Sequence, residues 1–229
     1  MESLVRYAPL LASGALVTVA LAVLALVLAT LLGALGAAGR LGGGRIGGAV
    51  VAGYTTVVRG IPDLVMLLLV YFGGQRLVNT VAAGLGFGAT DLSPFLAGVL
   101  ALGFIYGAYL TETFRGAYLT IPRGQLDAGR ALGLHRLAIL WTIAVPQLLR
   151  FALPGYANVW QVLVKSTALV SVIGLQDVVG IANDAGKSAH QPFVFFAAVL
   201  GVYLLITWAS TTVFERLERY HARGTLHAR

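Results

Sequence analysis

The stretch DAGRALGLHRLAILWTIAVP, from Asp127 to Pro146, is a polar, glycine-marked interruption in an otherwise strongly apolar chain. It belongs to a loop of about 120–147, the most basic interior segment of the sequence, with a long apolar run on each side. A long polar segment is unusual in a chain made mostly of apolar runs. Docking of another protein would account for it, so the loop predicts a docking surface.

Local signals divide this loop into two short helices. Gln125 to Leu132 predicts the first helix, with Asp127 in its first turn, where a negative charge suits the helix dipole. Gly133 predicts a chain reversal, because glycine tolerates positive φ. Leu134 to Ile143 predicts the second helix, and Pro146 is well tolerated near the start of the helix that follows.

Composition places the whole chain among membrane proteins. Hydrophobic residues make up 58% of the 229 residues, charged residues make up 11%, and the mean hydropathy is +0.85. These values exclude an ordinary soluble domain. Cysteine is absent and the four histidines are scattered, so neither a disulfide framework nor a metal-ligand cluster is expected. The net charge of +7 does not indicate nucleic-acid binding, because the basic residues flank apolar runs.

Five apolar runs are long enough to cross a bilayer, which takes roughly 20 residues. They are Tyr7 to Gly39, Leu64 to about Val81 with a start expected near Ala49, Leu92 to Thr111, Phe151 to Ile173, and Gln191 to Phe214. The first run is too long for the core of a signal peptide, so it is expected to be retained. The glycine-rich stretch 42–48 predicts a flexible turn. The sequence therefore predicts an all-α, polytopic membrane protein with a single domain over residues 1–229.

The basic residues between the runs predict the orientation in the membrane. Eleven arginines fall on one side of a five-span arrangement, and three basic residues fall on the other. This positive-inside bias predicts an outer N-terminus, and it places the 120–147 loop and the C-terminus in the cytoplasm. The eleven are Arg40, Arg45, Arg115, Arg123, Arg130, Arg136, Arg150, Arg216, Arg219, Arg223 and Arg229, and the three are Arg6, Arg76 and Lys187.

Two nucleotide-binding patterns in the sequence are incomplete. Gly42, Gly44 and Gly47 spell G-x-G-x-x-G, but no strand precedes them. Gly186-Lys187-Ser188 matches the end of a phosphate-binding loop, but Ile181 stands where its first glycine belongs. We therefore expect this chain to bind no nucleotide, metal or other cofactor.

The 120–147 loop resembles a signature of ABC importer permeases, which reads E-A-A, three residues, G, nine residues, I-x-L-P. Asp127 stands for the glutamate, Gly129 for the second alanine, and Val145 for the leucine. In that family the loop forms short helices that fit a cleft in a separate ATPase subunit. The resemblance implies an ATPase-coupling role for Gln125, Asp127, Ala128, Gly129, Gly133 and Pro146. The alternative is an ordinary cytoplasmic loop.

Other stretches look like the polar amino-acid uptake permeases, and most like the Q-type subunit of histidine/lysine-arginine-ornithine permeases. This resemblance implies a bacterial inner-membrane permease that imports polar, basic amino acids. It also implies as partners a second permease subunit, identical or homologous, two ATPase subunits that bind ATP and Mg, and an extracytoplasmic binding protein. The stretches are Arg59–Val65, Tyr109–Gly116, Leu153–Gln161, Lys165–Ser171 and Ala185–Ser188.

Ionisable groups within membrane spans are costly, so Asp63 is a candidate for binding a cationic substrate. A structural pair with Arg59, one helical turn earlier, is the alternative for Asp63. Arg59, Asn158 and Tyr54 complete the candidate substrate-binding set, although Asn158 and Tyr54 could simply pack against neighbouring helices. Some relatives carry a glutamate after the asparagine, where this chain has Val159, so the partner permease is expected to supply a second acid.

Three further charged residues are structural or gating candidates. Glu112 and Arg115 are three residues apart and predict an ion pair. Lys165 could gate the path, neutralise a partner charge or be structural.

Rival functions explain less of the sequence. An intramembrane protease would need a nucleophile and a base, but no G-x-S-x-G is present and no histidine lies in a confident span. A stand-alone channel or secondary transporter would explain the hydropathy and Asp63. It would not explain the spacing from Asp127 to Pro146.

Overall fold

The computed structural model describes residues 2–89 and 91–222, and every regular element in those two ranges is helical. This confirms the all-α fold. Arg223 and Arg229, which contribute to the predicted charge bias, lie outside the described residues. The elements are α1 (Glu2–Gly42), α2 (Gly44–Gly60), α3 (Asp63–Gly84), α4 (Pro94–Leu119), α5 (Arg123–Ala131), α6 (Arg136–Ile139), a π-helical turn (Leu140–Ala144), α7 (Val145–Ser166), a 3-10 helix (Thr167–Ile173), α8 (Val178–Ser188) and α9 (Pro192–Ala222).

Five helical segments are long and apolar enough to cross a membrane, as the sequence predicts. Each overlaps one of the five predicted runs, and most extend beyond it because helices continue past the apolar core into the interfacial layers. The segments are Ser3–Gly42, Asp63–Gly84, Pro94–Leu119, Arg136–Ile173 and Pro192–Tyr220.

The second predicted span is wrong as one continuous helix from near Ala49. The chain breaks between α2 and α3, where Ile61 is extended at φ −101° and ψ 138°. Pro62 causes this break, because a proline pushes the preceding residue out of the helical region. The predicted flexible turn at 42–48 is also shorter than expected: only Gly44 has a positive φ there, +65°, and the chain beyond it is helical.

Helices α1 and α4 pack closely and run in the same direction. A Cβ added at Gly33 would lie 2.6 Å from Leu110 Cβ, and one added at Gly103 would lie 2.5 Å from Leu28 Cδ2. Small residues at such positions let helix backbones approach closely, which is how membrane helices gain packing energy. We call this contact the glycine seam; its glycines are Gly33 and Gly36 of α1 and Gly98, Gly103 and Gly107 of α4.

The fourth predicted span is not a single α-helix. Helix α7 ends at Ser166, and the chain continues as a 3-10 helix to Ile173. Gly174 ends this segment with φ +92°, in the left-handed region that glycine adopts without strain. Helix α7 turns Trp160, Leu163 and Val164 into the core.

Helix α8 has no counterpart among the predicted elements. Asp177 caps its N-terminus by accepting a hydrogen bond from the Gly180 backbone N–H at 2.9 Å. The helix packs near the start of α1, where the Val178 N–H donates to Thr18 Oγ1 at 3.3 Å. Asp177 is fully buried by this packing.

Candidate functional site

Asp63 lies at the break between α2 and α3 and joins three helices through hydroxyl groups. The Tyr106 hydroxyl of α4 donates to Asp63 Oδ2 at 2.8 Å, and the Ser166 hydroxyl of α7 donates to the same oxygen at 3.4 Å. The two hydroxyl oxygens are 2.6 Å apart. Pro62 places Asp63 as the first residue of α3, where the helix dipole favours a negative charge. We call these three residues the Asp63 cluster.

The pair between Asp63 and Arg59 that the sequence suggested is not formed. Within the described part of the chain, Asp63 has no salt bridge, and its Oδ1 accepts no hydrogen bond. The Arg59 guanidinium instead lies over the Tyr109 ring, 5.1 Å from the ring centroid. The break at Ile61 explains the difference, because it takes the two side chains off a common helical face.

Glu112 forms the ion pair expected with Arg115, whose Nε lies 2.8 Å from Glu112 Oε2. The structure adds two partners that the sequence did not suggest. Arg40 Nε of α1 lies 3.8 Å from Glu112 Oε1, and the Thr55 hydroxyl of α2 donates to that oxygen at 3.4 Å. Glu112 therefore links α1, α2 and α4 near the C-terminal ends of α1 and α4.

A cavity of about 480 Å³ lies between α1, α2 and α4. It adjoins the Asp63 cluster, because its lining residue Tyr109 stacks on the Tyr106 ring with centroids 5.6 Å apart. Its lining is polar for a membrane protein and comes from α1, α2 and α4. The lining residues are Arg40, Thr55, Thr56, Arg59, Gly60, Tyr109 and Glu112.

The remaining candidates do not join the Asp63 cluster. The Tyr54 hydroxyl donates to the Phe104 carbonyl at 2.6 Å and its ring packs on the Phe104 ring, which fixes α2 against α4. Asn158 is exposed on α7, about two helical turns before Ser166. Asn158 and Lys165 form neither a hydrogen bond nor an ion pair with the described residues, and Val159 is buried.

The 120–147 loop folds as two short helices joined by a reversal, as the sequence predicts. Helix α5 begins two residues before the predicted start, and Gly133 has φ +77°. The predicted second helix starts later, because His135 caps α6 through a 3.2 Å hydrogen bond from the Ala138 N–H to its Nδ1. It then widens into the π-helical turn and runs into α7 without a break.

The loop has its own small core beneath exposed apolar side chains. A Cβ added at Gly129 would lie 2.8 Å from Ile143 Cδ1, which gives a physical reason for glycine at this position. The side chains of Leu132, Leu137 and Trp141 are 81%, 63% and 67% exposed. Exposed apolar residues grouped on a loop are typical of surfaces that contact another protein or a membrane. The core residues are Ile121, Leu126, Ile139 and Ala144.

The coupling candidates occupy different positions on this loop. Asp127 is exposed and pairs with Arg130 at 2.5 Å, so its charge helps to hold α5 together. Gln125 accepts a hydrogen bond from Gln147. Ala128 is exposed on α5, and Pro146 is the second residue of α7. Sequence reasoning missed Gln147, because no spacing rule joins residues 22 positions apart.

The chain matches the family described as "Binding-protein-dependent transport system inner membrane component" over residues 29–225. The chain belongs to this family. It is therefore a permease subunit of the kind found in amino-acid ABC importers, and an inner-membrane component of a transport system.

Individual relatives support the same assignment. The chain is 47% identical to the histidine/lysine/arginine/ornithine transport system permease protein HisQ of Escherichia coli (strain K12), over 97% of both chains. It is 42% identical to the octopine transport system permease protein OccQ of Rhizobium radiobacter, over 91% of this chain and 88% of that one. A crystal structure of an amino acid ABC transporter with histidines matches with a TM-score of 0.79 at 30% identity, covering 96% of this chain and 97% of that one.

Proposed function

We propose that this permease subunit forms part of the translocation path of an ATP-driven importer of basic amino acids. The Asp63 cluster is the observation that carries the proposal. Both hydroxyl donors bind Oδ2, which leaves Oδ1 free to meet a cationic side chain. A carboxylate in a low-dielectric setting attracts a cation far more strongly than it does in water. The likeness to a permease named for histidine, lysine, arginine and ornithine supports the same substrate class.

The same geometry disfavours neutral substrates. A neutral amino acid would leave Oδ1 of the partly buried Asp63 carboxylate without a partner, which costs more than the missing attraction alone. Asn158 is proposed as a secondary contact, because its exposed amide can bond either end of an amino acid. The second acid that relatives carry is absent at Val159, so the partner permease is proposed to supply it.

Energy for transport is proposed to come from separate ATPase subunits that hold the ATP and Mg, while this chain holds no nucleotide. The loop would dock on an ATPase through the exposed Leu132 at the end of α5, Leu137 of α6 and Trp141 of the π-helical turn. One ATPase would serve each of two permease subunits, and a binding protein would deliver substrate from outside. We further propose that the loop and the C-terminus face the cytoplasm, that the N-terminus faces outward, and that residues 1–229 form one transmembrane domain.

The test is uptake of lysine, arginine and histidine by the complete complex, reconstituted with saturating binding protein. Asp63→Asn keeps the shape and hydrogen bonding but deletes the charge. We expect roughly tenfold weaker transport, equivalent to about 1.4 kcal/mol, with basal ATP hydrolysis unchanged. Asp91→Asn, at an exposed acid outside the spans, serves as the matched control. Normal uptake of basic amino acids by Asp63→Asn would make Asp63 a structural residue, and uptake without any ATPase would favour a stand-alone transporter.

A further inference from the structure

The cavity beside the Asp63 cluster carries more positive than negative charge. Arg40 and Arg59 line it together with one acid, Glu112. That acid is already engaged, because Arg115 binds one of its oxygens at 2.8 Å, while Thr55 donates to the other and Arg40 Nε lies 3.8 Å from it. The cavity thus has more cationic than anionic groups, and Arg59 has no acid within ion-pair distance among the described residues.

Several N–H groups of Arg40 and Arg59 donate no hydrogen bond to the described residues. Arg40 Nε is buried and donates no hydrogen bond in the described part of the chain, although Nη1 donates to the Gly48 carbonyl at 3.2 Å. Arg59 rests on the Tyr109 ring and has neither an ion pair nor a hydrogen bond with the described residues. A ring face holds a guanidinium in place but leaves its in-plane N–H donors free.

We propose that this cavity binds the α-carboxylate of the transported amino acid, with Arg59 as the principal ligand and Arg40 as its support. The inference rests on the proposed function and assigns the other end of the same substrate. A guanidinium presents paired donors that match the two oxygens of a carboxylate.

Two stacked rings of α4 hold the two binding groups near each other. The Arg59 guanidinium lies over the Tyr109 ring, and the Tyr106 hydroxyl donates to Asp63 Oδ2. The centroids of the Tyr106 and Tyr109 rings are 5.6 Å apart. A basic amino acid likewise carries an anionic group at one end and a cationic group at the other. Asp63 would then bind the side-chain cation, and Arg59 would bind the α-carboxylate that all amino acids share.

This assignment of the two ends of the substrate to Asp63 and Arg59 is tested by measuring amino-acid binding to the purified, nucleotide-free complex without the binding protein. Radiolabelled arginine is displaced either by arginine or by agmatine, which is arginine without its carboxylate. Radiolabelled lysine is displaced either by lysine or by cadaverine, which is lysine without its carboxylate. In the parent complex we expect each decarboxylated amine to bind at least tenfold more weakly than its amino acid. Arg59→Gln should weaken arginine and lysine about tenfold and leave agmatine and cadaverine unchanged. Acetate and inorganic phosphate, added as competitors, distinguish a general anion site from an amino-acid site.

Matched variants separate this proposal from the proposed function. Arg59→Lys keeps the charge and should retain part of the preference for the carboxylate, and Arg45→Gln, at an exposed position of the same helix, should change nothing. Asp63→Asn should weaken binding of the amino acids and of the amines alike.

Equal binding of arginine and agmatine by the parent, or an equal loss of both in Arg59→Gln, would overturn the carboxylate site while leaving the basic-substrate proposal standing. Displacement by acetate or phosphate as strong as that by arginine would also overturn it. Absence of any arginine or lysine binding would overturn both proposals.

Discussion

The Gln147 side-chain amide donates a 2.6 Å hydrogen bond to Gln125 Oε1 and a 3.0 Å hydrogen bond to the Ile143 carbonyl. Gln125 lies on α5, Ile143 lies in the π-helical turn, and Gln147 lies in the first turn of α7. One side chain thus ties the proposed docking helix to the base of the helix that carries Ser166 to Asp63. A displacement of α5 would therefore pass directly into α7.

We predict that Gln147→Leu reduces substrate uptake per ATP hydrolysed by about twofold to tenfold. A neutral hydrogen bond contributes about 0.5–1.5 kcal/mol, which sets this range. Uptake and ATP hydrolysis are measured on the same proteoliposomes. Gln125→Leu should have a similar or smaller effect, because only Gln147→Leu also loses the hydrogen bond to Ile143. The double variant should be no worse than Gln147→Leu, because both changes delete the same shared hydrogen bond. Additive losses would show that the two residues act separately.

Gly133→Asp is predicted to leave the protein in the membrane but to uncouple it from ATP hydrolysis. The residue has φ +77°, where a side chain costs about 1 kcal/mol or more, and a carboxylate would also intrude on the docking surface. Recruitment of the ATPase is followed by copurification, and transport by uptake. Gly133→Asn is the control for charge, since asparagine has the same shape and tolerates this region. Full uptake by the aspartate variant would contradict the prediction.

Asp177 provides a prediction about pH. Burial raises its pKa from 3.8 to about 6, even though the Gly180 N–H bonds one oxygen. A raised pKa means that the folded state favours the protonated acid, so this contribution to stability is full below about pH 4 and is lost as pH rises through 6. Asp177→Asn keeps the helix cap and removes the charge.

We therefore expect Asp177→Asn to raise the melting temperature of the purified complex by a few degrees at pH 8 and by little at pH 4.5. Thermal unfolding at both pH values measures this difference. Asp184→Asn, at an exposed acid of the same helix, should show no such pH dependence. A lower melting temperature for Asp177→Asn at pH 8 would mean that the ionised carboxylate stabilises the fold.

The proposed orientation can be tested by thiol labelling, because the chain has no cysteine of its own. Ser188→Cys and Arg219→Cys place one exposed thiol at the end of α8 and one near the end of α9. An impermeant reagent added outside intact cells should label residue 188 and spare residue 219 until the membrane is opened. Labelling of both from outside would exclude the five-span orientation.

Structural features that depend on one continuous segment of the chain could be predicted from the sequence. Apolar run length predicts the five spans, and Gly133 predicts the reversal that its φ shows. Helix α8 could not be found this way, because an 11-residue helix with polar faces leaves no hydropathy signal. The partners of Asp63 are 43 and 103 residues away, on helices whose contact depends on packing. The alternative pairing of Asp63 with Arg59 is absent for a related reason, because helical spacing was applied across the break at Ile61.

The glycine seam has a consequence for how the chain is made. Helices α1 and α4 are parallel neighbours, yet α2 and α3 lie between them in sequence. At about 5–20 residues per second, α1 would wait roughly 4–15 s after its own synthesis for the end of α4 to emerge. During that interval Gly33 and Gly36 would face lipid or an insertion factor instead of α4. The first helix would thus depend on the insertion machinery until α4 arrives. Substitutions in the glycine seam would then reduce the yield of assembled protein more than the transport activity of each assembled complex.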